Sequence, residues 1–77
     1  MDAQEAQSEI TSLIEKLFCD IGGNANDIAH IIPKDGGWGK ALSYEVCNRE
    51  GKRIRVFRTY IDDKEHETIK SALRGLL

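Results

Sequence analysis

The sequence predicts a small α+β domain: an antiparallel sheet of two to three strands, packed by an N-terminal and a C-terminal helix. Three observations carry this. The first twenty residues hold an apolar stripe at helical spacing, residues 40–61 alternate like a β-hairpin, and a second helical stripe closes the chain. Seventy-seven residues suit one domain, and residues 1–77 are read as a single unit.

The first helix is expected over residues 2–21. Ala3, Ala6, Ile10, Leu13, Ile14, Leu17, Phe18 and Ile21 fall on one side of a helical wheel. Gln4, Glu5, Ser8, Glu9, Ser12, Glu15 and Lys16 fall on the other. Gly22-Gly23 supplies the stop, because glycine enters the left-handed conformation without a Cβ clash. After the polar turn Asn24-Ala25-Asn26-Asp27 comes Ile28-Ala29-His30-Ile31-Ile32, closed by Pro33. Five residues do not separate a short strand from one helical turn, and the strand is the reading taken here. Lys34-Asp35-Gly36-Gly37 reads as a turn, with the next strand pattern starting at Trp38 to Lys40.

The hairpin's register follows from alternation. Leu42, Tyr44 and Val46 share one side, as do Ile54 and Val56. One common apolar face requires Val46 opposite Ile54 and Tyr44 opposite Val56. Arg49-Glu50-Gly51 is then a three-residue loop, with Gly51 in the left-handed position of a bulged hairpin. Glu45 falls opposite Arg55, and Cys47 opposite Arg53, on the outer face. Past Val56 the parity breaks, so a bulge at Val56-Phe57 is expected, returning Arg58 to solvent. The last helix is expected from Asp63 to Leu77, with Asp62 as N-cap and Glu65 at capping-box spacing. Ile69, Ala72, Leu73, Leu76 and Leu77 form its stripe, and His66 sits half-buried at its edge.

Composition narrows the functional classes. Hydrophobic residues make up 40% and charged residues 31%, which is globular rather than disordered. The net charge of −2 fits neither a histone-like cation nor a strongly acidic nucleic-acid mimic. No apolar run approaches the roughly 20 residues of a membrane span. The acidic N-terminus carries no secretory pattern. A cytoplasmic setting follows as the expectation, with Cys19 and Cys47 as reduced thiols. A single bridge between them stays compatible with the sequence.

Chemistry-bearing patterns are few. Cys19, His30, Cys47 and His66 lack the paired spacings of a metal site. Cys19 sits near the negative end of a helix, which does not favour a thiolate nucleophile. Cys47 has no histidine nearby in sequence to serve as its base. No cofactor motif is present: Lys34-Asp35-Gly36-Gly37-Trp38-Gly39 lacks the Gly-Lys-Ser/Thr ending of a phosphate loop. The expectation is therefore no enzyme, no metal and no cofactor.

Two features suggest contact surfaces. The three glycines around Trp38 either let the indole project as an interface anchor or let it fold back over the end of the sheet. The charge is also uneven: residues 1–35 carry seven acids and two bases, and residues 36–77 six acids and nine bases. Arg49, Lys52, Arg53, Arg55 and Arg58 crowd into ten residues and could neutralise phosphate. An expected pairing of Glu45 with Arg55 weakens that field.

The order helix, three strands, helix is similar to that of double-stranded-RNA-binding domains. Those domains begin their last helix with a lysine cluster, whereas this chain reads Asp62-Asp63-Lys64-Glu65-His66. That departure removes the phosphate grip, and no family is assigned from the order alone.

The expectation drawn from the sequence is a small non-catalytic binding module for a protein partner, acting as an inhibitor, adaptor or regulator. Phages and mobile elements encode free-standing binders of this type. The expected contact residues are Trp38, Arg49, Lys52, Arg53 and Arg58, with Arg53 and Arg58 favoured because neither has an obvious acidic neighbour in this register. The alternative is nucleic-acid binding through hairpin residues 49–58. A homodimer is a third arrangement, since so small a core gains from pairing. No membrane contact is expected.

Overall fold

The computed structural model describes residues 2–57 and 62–77. Helix α1 spans Ala3–Asp20. Asp2 caps it, its carboxylate accepting the Glu5 amide at 2.8 Å. Ala6, Ile10, Ile14, Leu17 and Phe18 are its buried residues. The helix ends in a Schellman motif: the Gly23 amide donates to the Phe18 carbonyl at 2.9 Å and the Gly22 amide to Cys19 at 3.0 Å. Gly22 is left-handed at φ +94°. Gly23 lies under the Phe18 ring, where a Cβ would come within 2.6 Å of it.

A 3-10 turn, Ala25–Asp27, leads into β1, Ile28–Lys34. Strands β2, Ser43–Asn48, and β3, Arg53–Phe57, complete an antiparallel sheet in the order β1-β2-β3. Pro33 therefore does not close the first strand but lies within it. An edge strand tolerates proline, because the missing N–H can face away from the ladder.

The hairpin has the register that alternation requires. Tyr44 pairs with Val56, Val46 with Ile54, Glu45 with Arg55, and Cys47 with Arg53. The Asn48 amide donates to the Lys52 carbonyl at 2.9 Å, so Arg49-Glu50-Gly51 is the loop, and Gly51 has φ +88°. Asn48 adds what parity does not reveal. Its Oδ1 accepts the Glu50 and Lys52 amides at 3.0 and 2.8 Å.

Three expectations are corrected. The second strand does not start at Trp38 to Lys40. Those residues turn, with the Lys40 and Ala41 amides donating to the Gly37 carbonyl, and Gly39 at φ +83° breaks any extended run. Leu42 consequently falls outside the ladder and is 61% exposed, while Ala41 is buried. No bulge interrupts Val56-Phe57 either: pairing continues to Ser43 opposite Phe57. The register shift lies in β1 instead, between Ile28 and His30. Arg58, whose parity motivated the bulge, lies outside the described residues.

Helix α2, Asp62–Leu73, continues as a 3-10 turn, Arg74–Leu76. The capping expected of Asp62 and Glu65 concerns side chains outside those described. Ile69, Leu73 and Leu76 are buried. Leu77 is exposed at the end of the final turn, and so is His66, a turn before the buried stripe begins. Both helices cover the same face of the sheet, joining Tyr44, Val46 and Val56 in one core with Ile31 and Ile54 at its margin. Burying each of these large side chains is worth roughly 1.5–3 kcal/mol.

Candidate binding surface on the open face of the sheet

Because both helices take one face, the other face of the sheet is left without a covering layer among the described residues. Its residues follow from the register. Parity places His30, Cys47 and Arg53 in one row, Ile32, Glu45 and Arg55 in the next, and Lys34, Ser43 and Phe57 in the third. Ile32 is 42% and Phe57 55% exposed, large apolar side chains on the two outer strands.

Glu45 holds the centre. Its carboxylate lies 3.6 Å from Lys34 Nζ and 3.6 Å from Arg53 Nη1, and the Cys47 thiol donates to it at 3.6 Å. The pairing expected between Glu45 and Arg55 is thus replaced by pairings with the two diagonal neighbours, which long side chains in a sheet can reach. This reverses the earlier distinction between the arginines. Arg53 has the acidic neighbour, and Arg55 has no ion pair among the described residues. Three cations, Lys34, Arg53 and Arg55, against Glu45 give the face a formal charge of +2.

The residues singled out in the sequence do not form one patch. Arg53 lies on the open face, its side chain 71% exposed. Lys52 is exposed beside the hairpin loop, and Arg49 is exposed in it. Arg49 is tethered: its amide donates to Asp27 at 2.9 Å and its Nε to the Asn26 carbonyl. Trp38 precedes the opposite end of β2. The five residue steps from Tyr44 to Arg49 cover about 17 Å. The indole is half-buried against the core and stacks on Tyr44, with centroids 5.7 Å apart and planes at 26°. Its glycines serve the turn more than projection. At Gly39 a Cβ would stand 3.1 Å from the Ala6 side chain, so the loop is pressed onto α1.

Ile32 and Phe57 are the surface residues that sequence reasoning missed, and Arg55, expected on the outer face, was set aside for a pairing with Glu45 that does not form. The signal was parity: Ile32 follows Ile31 and Phe57 follows Val56, so in each pair only one residue can face the core. Both cysteines are free, Cys19 exposed and Cys47 buried. Among the described residues, no three His, Cys, Asp or Glu side chains gather as a metal site would need, and no helix is long and apolar enough to cross a membrane.

Among the described residues, fold and surface together define a one-faced α+β module, a three-stranded sheet with helices on one side and a second side without a helix, mixed apolar and cationic along its outer strands, with Ser43 and Cys47 buried between them. The chain matches no family model, and neither curated proteins nor solved structures yield a match to it.

Proposed function

We propose that this chain is a non-catalytic binding module that acts through protein–protein contact, as an inhibitor, adaptor or regulator. The observation that carries this is the open sheet face, where Ile32 and Phe57 are exposed beside Lys34, Arg53 and Arg55. Aromatic residues and arginine are enriched in interfaces. A partner surface with an apolar centre and flanking carboxylates complements this face. Association should be steered by charge and held by apolar burial.

A second reading rests on β3 alone. Arg53, Arg55 and Phe57 alternate along one exposed strand, and arginine with an aromatic ring can hold phosphate and stack a base. One experiment separates the two. Extracts of the native host are passed over the immobilised wild-type chain, Arg55→Ala and Phe57→Ala, with and without nuclease, at two salt concentrations. Retention of the same protein after nuclease, lost mainly with Phe57→Ala, supports the protein reading. Retention abolished by nuclease, lost mainly with Arg55→Ala and falling steeply with salt, supports nucleic acid. Retention identical for all three chains removes the open face from consideration.

A further inference from the structure

We propose that the outer edge of β1 is a second binding site, which takes the extended C-terminal segment of a partner protein as an added strand and holds its terminal carboxylate at Arg49. It adjoins the open face, with His30 and Ile32 bordering both, but it rests on the Ile31 backbone and Arg49 and stands or falls separately.

The edge has hydrogen-bonding capacity to spare. β1 is an outer strand, and no backbone hydrogen bond ties its free side to another segment among the described residues. Pro33 has no N–H, so its pair with Tyr44 belongs to the non-hydrogen-bonded set, whose backbone groups turn away from the neighbouring strand. Pairing is continuous from Pro33 back to Ile31. Ile31, two residues earlier, therefore turns its N–H and C=O outward as well. An added antiparallel strand meets one donor, Ile31 N–H, and two acceptors, the carbonyls of Ile31 and Pro33. Main-chain bonds of this kind are how edge strands recruit extended peptides.

The surroundings fix what the strand must be. The edge opens on a groove of about 430 Å³, walled on the far side by Gln7, Thr11 and Glu15 of α1. Ala25, Asn26 and Arg49 line it at the Ile28 end. A strand antiparallel to β1 runs toward Ile28, so its C-terminus arrives there. The 3-10 turn and the register shift between Ile28 and His30 end the regular edge at that point, which suits a chain that stops. Arg49 is exposed and has no ion pair among the described residues. Its Nε is engaged by the Asn26 carbonyl, so the guanidinium is oriented and its Nη groups remain for a carboxylate. Glu15 is the one acid lining the groove among the described residues, and it opposes the incoming charge.

A second copy fits this edge less well. Two β1 strands paired antiparallel about Ile31 would set each Lys34 opposite the other's Ile28, beside Arg49. Like charges would then meet at both ends.

The test displays random heptapeptides with free C-termini to the intact chain and measures affinity for the enriched sequences. Enriched peptides should bind at least tenfold more weakly as C-terminal amides. Arg49→Gln should cost a similar factor, and Glu15→Gln should tighten binding. N-methylation of the peptide residue paired with Ile31 should abolish binding, and the Ile31 amide resonance should shift on titration. Phe57→Ala should leave peptide affinity unchanged, which separates this site from the open face. The amide and N-methyl comparisons use the wild-type chain, so they hold even if a variant folds poorly. Failure to enrich any peptide, equal binding of acid and amide, or an unshifted Ile31 amide would each overturn the proposal. A dimer in sedimentation that tightens on Lys34→Glu, which would set opposite charges at both ends, would overturn it in favour of a second copy.

Discussion

Gly51 closes the hairpin at φ +88°, and a Cβ built there meets nothing within 4 Å. Any penalty for a side chain at this position is therefore conformational rather than steric crowding by neighbours. Gly51→Val should cost about 1–2 kcal/mol, the price of holding an L-residue left-handed. Gly37 has equal space without a left-handed φ, so Gly37→Ala should be neutral or gain up to about 1 kcal/mol. Urea unfolding of both variants checks the pair, and equal stability of Gly51→Val and wild type would contradict it. Tyr44 presents the opposite case. The residue is 2% exposed, and its hydroxyl is buried without a hydrogen-bond partner among the described residues. An unmet buried polar group costs roughly 1–3 kcal/mol, so Tyr44→Phe should raise stability by about 1 kcal/mol. A loss of stability would mean that the hydroxyl is satisfied in solution.

Trp38 belongs to the scale of elements, because it joins the glycine turn to β2 through its stack on Tyr44. Trp38→Ala should cost about 1–3 kcal/mol of folding stability, less than a fully buried tryptophan would. Thermal unfolding checks this. Undiminished stability together with lost partner binding would instead make Trp38 the projecting anchor that the sequence allowed. This ambiguity shows where the sequence stops being informative. The hairpin register was legible because only one pairing places Tyr44, Val46, Ile54 and Val56 on a common face. The end of α1 was legible because Gly22-Gly23 has one common use after an apolar helix. The turn before β2 was not, since its length depends on Gly39 approaching Ala6 from far along the chain. Nor was the choice of Glu45 between Arg53 and Arg55, which a pairing diagram leaves open and the placement of side chains decides. In the candidate surface, Arg53 was legible from charge, whereas Ile32 and Phe57 looked like core because an apolar residue beside each one is core.

For the whole molecule, the question is whether the open face contributes to folding or only to contact. Ile32 and Phe57 are exposed large hydrophobics, on the side of the sheet away from α1 and α2. Neighbouring Val56 is 1% exposed and sits in the core with Leu73 and Ile14. A chain this short has only a few kcal/mol of net stability to lose, so the two faces should respond very differently to the same change. The double variant Ile32→Ser, Phe57→Ser gives up some strand propensity and part of a half-exposed contact. It should cost no more than about 1 kcal/mol. Val56→Ser places a hydroxyl in the core and leaves a cavity, which should cost about 2–4 kcal/mol and bring the domain close to unfolding. Circular dichroism during urea titration measures both. If the double variant unfolds as readily as Val56→Ser, the exposed pair is structural and the face is not free for a partner. If it stays folded while partner retention is lost, the apolar residues are kept exposed for contact. The acidic outward side of α1, around Glu5 and Glu9, then serves as the control surface: Glu5→Lys with Glu9→Lys should leave retention intact. Loss of retention there, with the double variant still binding, would move the interface from the sheet to the helix.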